Sequence, residues 1–92
     1  LMTITVIAKN YGMFGQKMNE LLYRLKVQYK HSDTWILYAK YQDKGYTHTE
    51  MLEVKGTDKL KPSTKWTQKG HMFIYEFLKK HKVLPLIEKK GA

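Results

Sequence analysis

Two glycines, Gly12 and Gly15, stand between two runs of helical pattern and constrain the fold more than any other feature of the chain. Before them, Thr3 or Thr5 can cap a short helix running to about Tyr11, with Ile4, Val6, Ile7 and Ala8 as its apolar side. After them, Phe14, Met18, Leu21, Leu22 and Leu25 fall at i, i+4, i+7, i+8 and i+11, which is one stripe of an α-helix. A glycine just past a helix end takes the left-handed backbone that stops it, and a second lets the chain leave at a steep angle. The second helix keeps Gln16, Lys17, Asn19, Glu20, Tyr23 and Arg24 on its outer face, so the pair has the outline of a helix-turn-helix.

Downstream the pattern changes to strands. Residues 27–30 and 34–37 are rich in β-branched and aromatic types around the polar turn His31-Ser32-Asp33, which predicts a hairpin. Residues 38–44 read as a short helix ending at Gly45 or as an extended continuation of the strand. A second hairpin is expected from a strand within 46–54, a polar loop at 55–61 and a return strand at 63–67. Pro62, which has no N–H for a ladder, belongs at the start of that strand or on an edge. Thr67 then caps a helix running to about His81 or Val83, with Phe73, Ile74, Phe77, Leu78 and His81 on one side. Its 71–81 stretch either closes the core or pairs with a second copy. Pro85 ends or follows it, and 84–92 is read as a tail, either flexible or partly ordered. The fold class is therefore α+β, a small winged-helix-like domain with a helix-turn-helix and two β-hairpins.

Composition sets the function classes. Ninety-two residues leave room for one core, so 1–92 is read as one domain. A hydrophobic fraction of 42% with 13% aromatics argues against a disordered basic tail. The absence of cysteine removes a disulfide framework, a thiolate metal site and a cysteine nucleophile. His31, His48, His71 and His81 lack metal-ligand spacing, and no nucleophile motif, phosphate loop or close carboxylate pair stands in the sequence, so neither metal, cofactor nor enzyme activity is expected. No apolar run approaches the ~18–20 residues of a membrane span. The start at Leu1-Met2 reads as an excised domain with a cloning scar.

The net charge of +9 is supplied by 17 Lys and Arg residues, of which only Arg24 carries a guanidinium. Lysine is a point charge suited to phosphate, whereas arginine dominates the bidentate reading of guanine. The charge thus favours attraction to a polyanion backbone over base reading, or serves only to keep the surface soluble.

Three stretches carry a resemblance. Ala8-Lys9-Asn10-Tyr11-Gly12, the stretch from Thr34-Trp35 through Tyr38-Ala39-Lys40-Tyr41-Gln42-Asp43-Lys44-Gly45-Tyr46, and Trp66-Thr67-Gln68-Lys69-Gly70 followed by Phe73-Ile74-Tyr75 resemble the KilA-C domain of phage antirepressor proteins. The resemblance covers roughly residues 3 to 81. The combination of Tyr-Gln-x-x-x-Gly-Tyr with a later Thr-x-Lys-Gly is its most specific part. It implies the C-terminal module of a longer phage regulator, acting in the switch between lysogenic and lytic growth in the cytoplasm of a bacterial host. It implies DNA binding and no catalytic residues.

The residues expected to touch duplex DNA are Gln16, Lys17, Asn19, Tyr23 and Arg24 on the second helix, Lys30 and His31 at the first hairpin turn, and Lys55, Lys59, Lys61 and Lys65 on the second hairpin. The plain alternatives are that an amphipathic helix needs a polar outside and that charged hairpin tips discourage aggregation. Tyr38, Tyr41, Tyr46, Trp35 and Trp66 are read as packing between hairpins and helices, with Gln42 and Thr67 as buried hydrogen-bonding partners, ahead of base stacking. A second functional class stays open, in which the domain captures a phage repressor or a host factor without touching DNA.

Overall fold

The computed structural model describes residues 1–89. Five helices and two antiparallel hairpins run in the order α1 (Ile4–Lys9), α2 (Gly15–Arg24), β1 (Gln28–His31), β2 (Thr34–Leu37), α3 (Ala39–Gln42), β3 (Thr47–Glu53), β4 (Leu60–Trp66), α4 (Gln68–Lys80) and α5 (Leu86–Lys89) among these residues. The domain is α+β, and its helix pair followed by hairpins is consistent with a winged-helix-like fold.

The Thr3 hydroxyl caps α1 by accepting from the Val6 N–H, and Gly12 ends the turn with φ +70°. The two helices cross closely at Gly15, where a Cβ would lie 2.7 Å from the Thr5 hydroxyl oxygen. Ile7 and Ala8 of α1 and Met18 and Leu22 of α2 are fully buried, joined by Val27, Ile74 and Leu78. Fully burying such a side chain contributes roughly 1.5–3 kcal/mol, so this shared centre holds the helices and the root of β1 together. Phe14 departs from its expected place in the stripe. It is the extended residue before α2 and stays 85% exposed, because the first helical turn begins at Gly15 and not before.

The α4 helix closes the core. The Thr67 hydroxyl accepts from the Gly70 N–H at 3.0 Å and donates to the Gly45 carbonyl at 2.6 Å, clasping the start of α4 to the end of the α3–β3 connection. Gly70 sits so close to this connection that a Cβ would run into the Tyr46 carbonyl. The Gln42 amide donates to the Leu37 carbonyl at 2.8 Å, and Tyr46 stacks on Phe73 with 4.3 Å between ring centres. Tyr41 packs against Phe73 at 5.0 Å. The Tyr-Gln and Thr-x-Lys-Gly motifs thus meet each other in the fold, and the ring-packing reading of Tyr41 and Tyr46 holds.

The hairpins differ in reach. In the first, Gln28 pairs with Leu37 and His31 with Thr34, leaving a tight turn with Ser32 at φ 53°. In the second, Thr47 pairs with Trp66 and Glu53 with Leu60, so β4 begins three residues earlier than its sequence suggests. Pro62 is tolerated inside it because both strands of a two-stranded ribbon are edges. Met2 binds the Trp66 backbone in both directions, at 2.9 and 2.7 Å, which fastens the chain's start to the ribbon's root. Residues 51–61 are all exposed, and the domain measures 51 × 28 × 22 Å. Its radius of gyration is 14.1 Å, against about 12 Å for a compact chain of this length. Beyond α4, Pro85 is buried, the Leu86 N–H donates to the Asn10 carbonyl at 2.8 Å, and α5 follows. The last part of the expected tail, 90–92, lies outside the described residues.

Candidate nucleic-acid interface

The α2 helix presents Gln16, Lys17, Glu20, Tyr23 and Arg24 as exposed side chains. They share a surface because α2 turns Met18 and Leu22 inward, and residues one helical turn apart then line up outside. Gln16, Lys17, Glu20 and Arg24 line an open groove of about 500 Å³ together with the apolar Met13, Phe14, Leu21 and Val83. Asn19 stands apart from this group. It is half-buried, and its side-chain and backbone oxygens both accept from the Gln28 amide at 3.1 Å. Its first role in the fold is therefore to weld α2 to β1.

The first hairpin follows α2 directly and brings its own groups beside the helix. Lys30 is exposed, with its ammonium 5.7 Å over the Trp35 ring, a cation–π arrangement that holds the charge near the surface. Trp35 in turn lies 6.1 Å from Tyr23 of α2, and Tyr29 lies 5.0 Å from Tyr38. These rings, with Glu20 and Lys30, line an open depression of about 620 Å³. His31 is exposed at the turn. The sequence marks Trp35 and Tyr38 as packing residues ahead of base stacking. Their grouping with Tyr23 and Tyr29 depends on α2 and the first hairpin lying side by side, a tertiary fact with no local signal.

The second hairpin separates its residues by face, because paired residues in an antiparallel ladder project to the same side and alternate along each strand. The pairs His48 with Lys65, Glu50 with Ser63 and Leu52 with Lys61 therefore share one face, and Lys59 continues it through the Val54–Lys59 backbone bond. The opposite face carries Thr49 with Thr64, Met51 with Pro62 and Glu53 with Leu60. The strand lysines of the ribbon thus lie on one side only. Lys59 and Lys61 are exposed there, Lys55 is exposed in the turn, and Lys65 is half-buried with its ammonium 3.9 Å from Glu50. With Glu50, Glu53 and Asp58 nearly offsetting the four lysines, the ribbon as a whole carries little of the chain's +9.

Elsewhere the chemistry is quiet. Between α1, α4 and α5, a cavity of about 660 Å³ is edged by Tyr11, His71, Tyr75 and Glu88. Burial, with the nearby charges of Tyr75 and Glu88, pushes the Tyr11 phenol up to about 12. The Tyr75 hydroxyl donates to Glu88, and that bond raises its pKa as well. Both phenols move away from neutrality, opposite to what general acid or base catalysis requires. No group of three or more His, Asp or Glu side chains able to hold a metal ion occurs among the described residues. No helix among them is long and apolar enough to cross a membrane.

No curated protein and no solved structure matches this chain. The family model described as the phage antirepressor protein KilAC domain matches residues 1–81, which span every element from α1 through α4, and the chain belongs to that family.

Proposed function

We propose that this domain is the DNA-binding module of a longer antirepressor-type phage regulator, acting in the switch between lysogenic and lytic growth. The outer face of α2 lies along duplex DNA, with Gln16, Lys17, Tyr23 and Arg24 toward the groove and Asn19 at its margin. Lys30 and His31 of the first hairpin and Lys55, Lys59, Lys61 and Lys65 of the second reach flanking phosphates. One observation carries the reading. The α2 helix and the first hairpin lie side by side and present Lys17, Arg24 and Lys30 exposed, on a chain whose net charge of +9 favours an external polyanion. The family gives the regulatory setting, and a regulatory domain rather than an enzyme is the reading that membership supports.

Arginine supply limits the kind of binding. With Arg24 as the one guanidinium, phosphate anchoring outweighs base reading, and affinity should fall steeply with salt on any duplex. Titration of unrelated and operator-derived duplexes at several salt concentrations tests this. Joint replacement of Lys55, Lys59 and Lys61 by Glu should weaken binding roughly 10- to 100-fold on every sequence and flatten the salt slope. Arg24→Ala should cost about 1–3 kcal/mol of discrimination between sites where a preferred site exists. Absence of binding at ~100 mM salt, with co-elution of the domain and a phage repressor, would replace this reading by repressor capture without DNA contact.

A further inference from the structure

We propose that Phe14 is a specificity-determining residue, and that it recognises the C5 methyl group of a thymine in the major groove of duplex DNA. This contact rests on the DNA-binding reading above and adds to it a base and an atom. Phe14 breaks two local rules at once. It is 85% exposed, more than any other large apolar side chain among the described residues. It also occupies the N-cap of α2 without making the side-chain hydrogen bond that Thr3 makes for α1 and Thr67 for α4. Stability alone would favour Ser, Thr, Asp or Asn at this position, since each of them caps a helix and none exposes a ring to water. Local conflicts of this kind collect where a side chain serves a ligand.

The surroundings of the ring select its occupant. Met13, Leu21 and Val83, which line the same groove, are half-buried, so Phe14 stands as a lone open ring among Gln16, Lys17, Glu20 and Arg24. A protein partner needs an apolar patch depleted of charge, and one ring rimmed by charged groups does not make one. A base edge needs the reverse, a small apolar contact beside an amide and cations, and phenylalanine meets the thymine methyl in this way. Position agrees with chemistry. In a helix-turn-helix the N-terminal residues of the second helix come nearest the bases, and Phe14, Gln16 and Lys17 stand at that end of α2. Glu20, further along, repels phosphate and so favours approach by this end. Guanine reading is confined to the single arginine, Arg24, and the thymine methyl supplies a second readout of different chemistry.

A short duplex of alternating A·T and the same duplex with every thymine replaced by deoxyuridine differ by the methyl group alone. Fluorescence anisotropy at fixed salt should show the parent chain binding the thymine duplex about fourfold more tightly, as one buried methyl predicts. Phe14→Ala should bind both duplexes equally, near the parent's affinity for the deoxyuridine one. Its salt slope should match the parent's because no phosphate contact is lost, and its melting curve should be unchanged because the ring is exposed and caps nothing. Equal affinity of the parent for the two duplexes, a thymine preference that survives in Phe14→Ala, or a loss accompanied by a flattened salt slope would each overturn the methyl contact while leaving DNA binding in place. A parent chain that binds neither duplex would overturn the DNA-binding reading, and this contact with it.

Discussion

The two hairpins share a construction, antiparallel and two-stranded, and differ in how much of each belongs to the body of the domain. The first has four-residue strands whose ends are buried at Gln28 and Leu37, and it is tied to α2 through Asn19. The second has seven-residue strands, anchored at its root by Trp66, Met2 and the Thr67 clasp and free from Met51 outward. Turn charge, the feature that makes both look alike in sequence, is therefore a poor guide to which of them projects. Length beyond the last core contact decides it. A gradient of local stability follows, from a root as firm as the core to a tip that opens independently.

The comparison breaks most severely at the second hairpin's root. A Cβ on residue 70 would collide with the Tyr46 carbonyl and come within 2.9 Å of the Trp66 ring, and neither can swing aside as a flexible side-chain end would. The start of α4 must move, which pulls the Thr67 hydroxyl away from the Gly45 carbonyl. Gly70→Ala should cost about 3 kcal/mol in urea denaturation, at the upper end of overpacking effects. Near-parental stability would show that the clasp is not what fixes the ribbon to the body.

Much of this root is legible in the sequence. The Thr67 cap, the helix stop at Gly45 and the amphipathic face of α4 are local signals, because capping and periodicity are set by neighbouring residues. The regulatory setting is legible for the same reason, as its motif residues form one clasp. What escapes is tertiary. Asn19 looks like a free polar group on an outer helical face until β1 arrives with Gln28, and Phe14 falls in register with the apolar stripe although the helix begins one residue later. The early start of β4 is hidden by Pro62, whose usual exclusion from strands does not apply to a ribbon with two edges. The sorting of lysines to one face of that ribbon needs the register of the pairing, which residues 47–53 do not announce by clean alternation.

A smaller loss tests the first hairpin's attachment. Gln28 is 3% exposed, and its amide satisfies two oxygens of Asn19. Gln28→Ala removes that donor and leaves the half-buried Asn19 acceptors without their partner, at a cost of about 1–3 kcal/mol in chemical denaturation. Were this hairpin as free as the second, the same truncation would cost less than ~0.5 kcal/mol, as surface substitutions do.

The smallest effect belongs to the far tip, and it is the one that separates local from global structure. Around Gly56, at φ +82°, the Thr57 hydroxyl donates to the Val54 carbonyl at 2.9 Å and accepts from the Lys59 N–H at 3.2 Å. These bonds shape the turn, and they touch no residue of the core. Thr57→Ala should lower global stability by no more than ~0.5 kcal/mol while hastening amide hydrogen exchange at Val54, whose N–H pairs with the Lys59 carbonyl. Exchange at Trp66, whose N–H pairs with Met2, should not change, because that bond opens only with the body. If exchange at Trp66 accelerated together with Val54, the ribbon would open as one cooperative unit from tip to root. The distinction between an anchored hairpin and a free one would then rest on burial alone and not on independent opening.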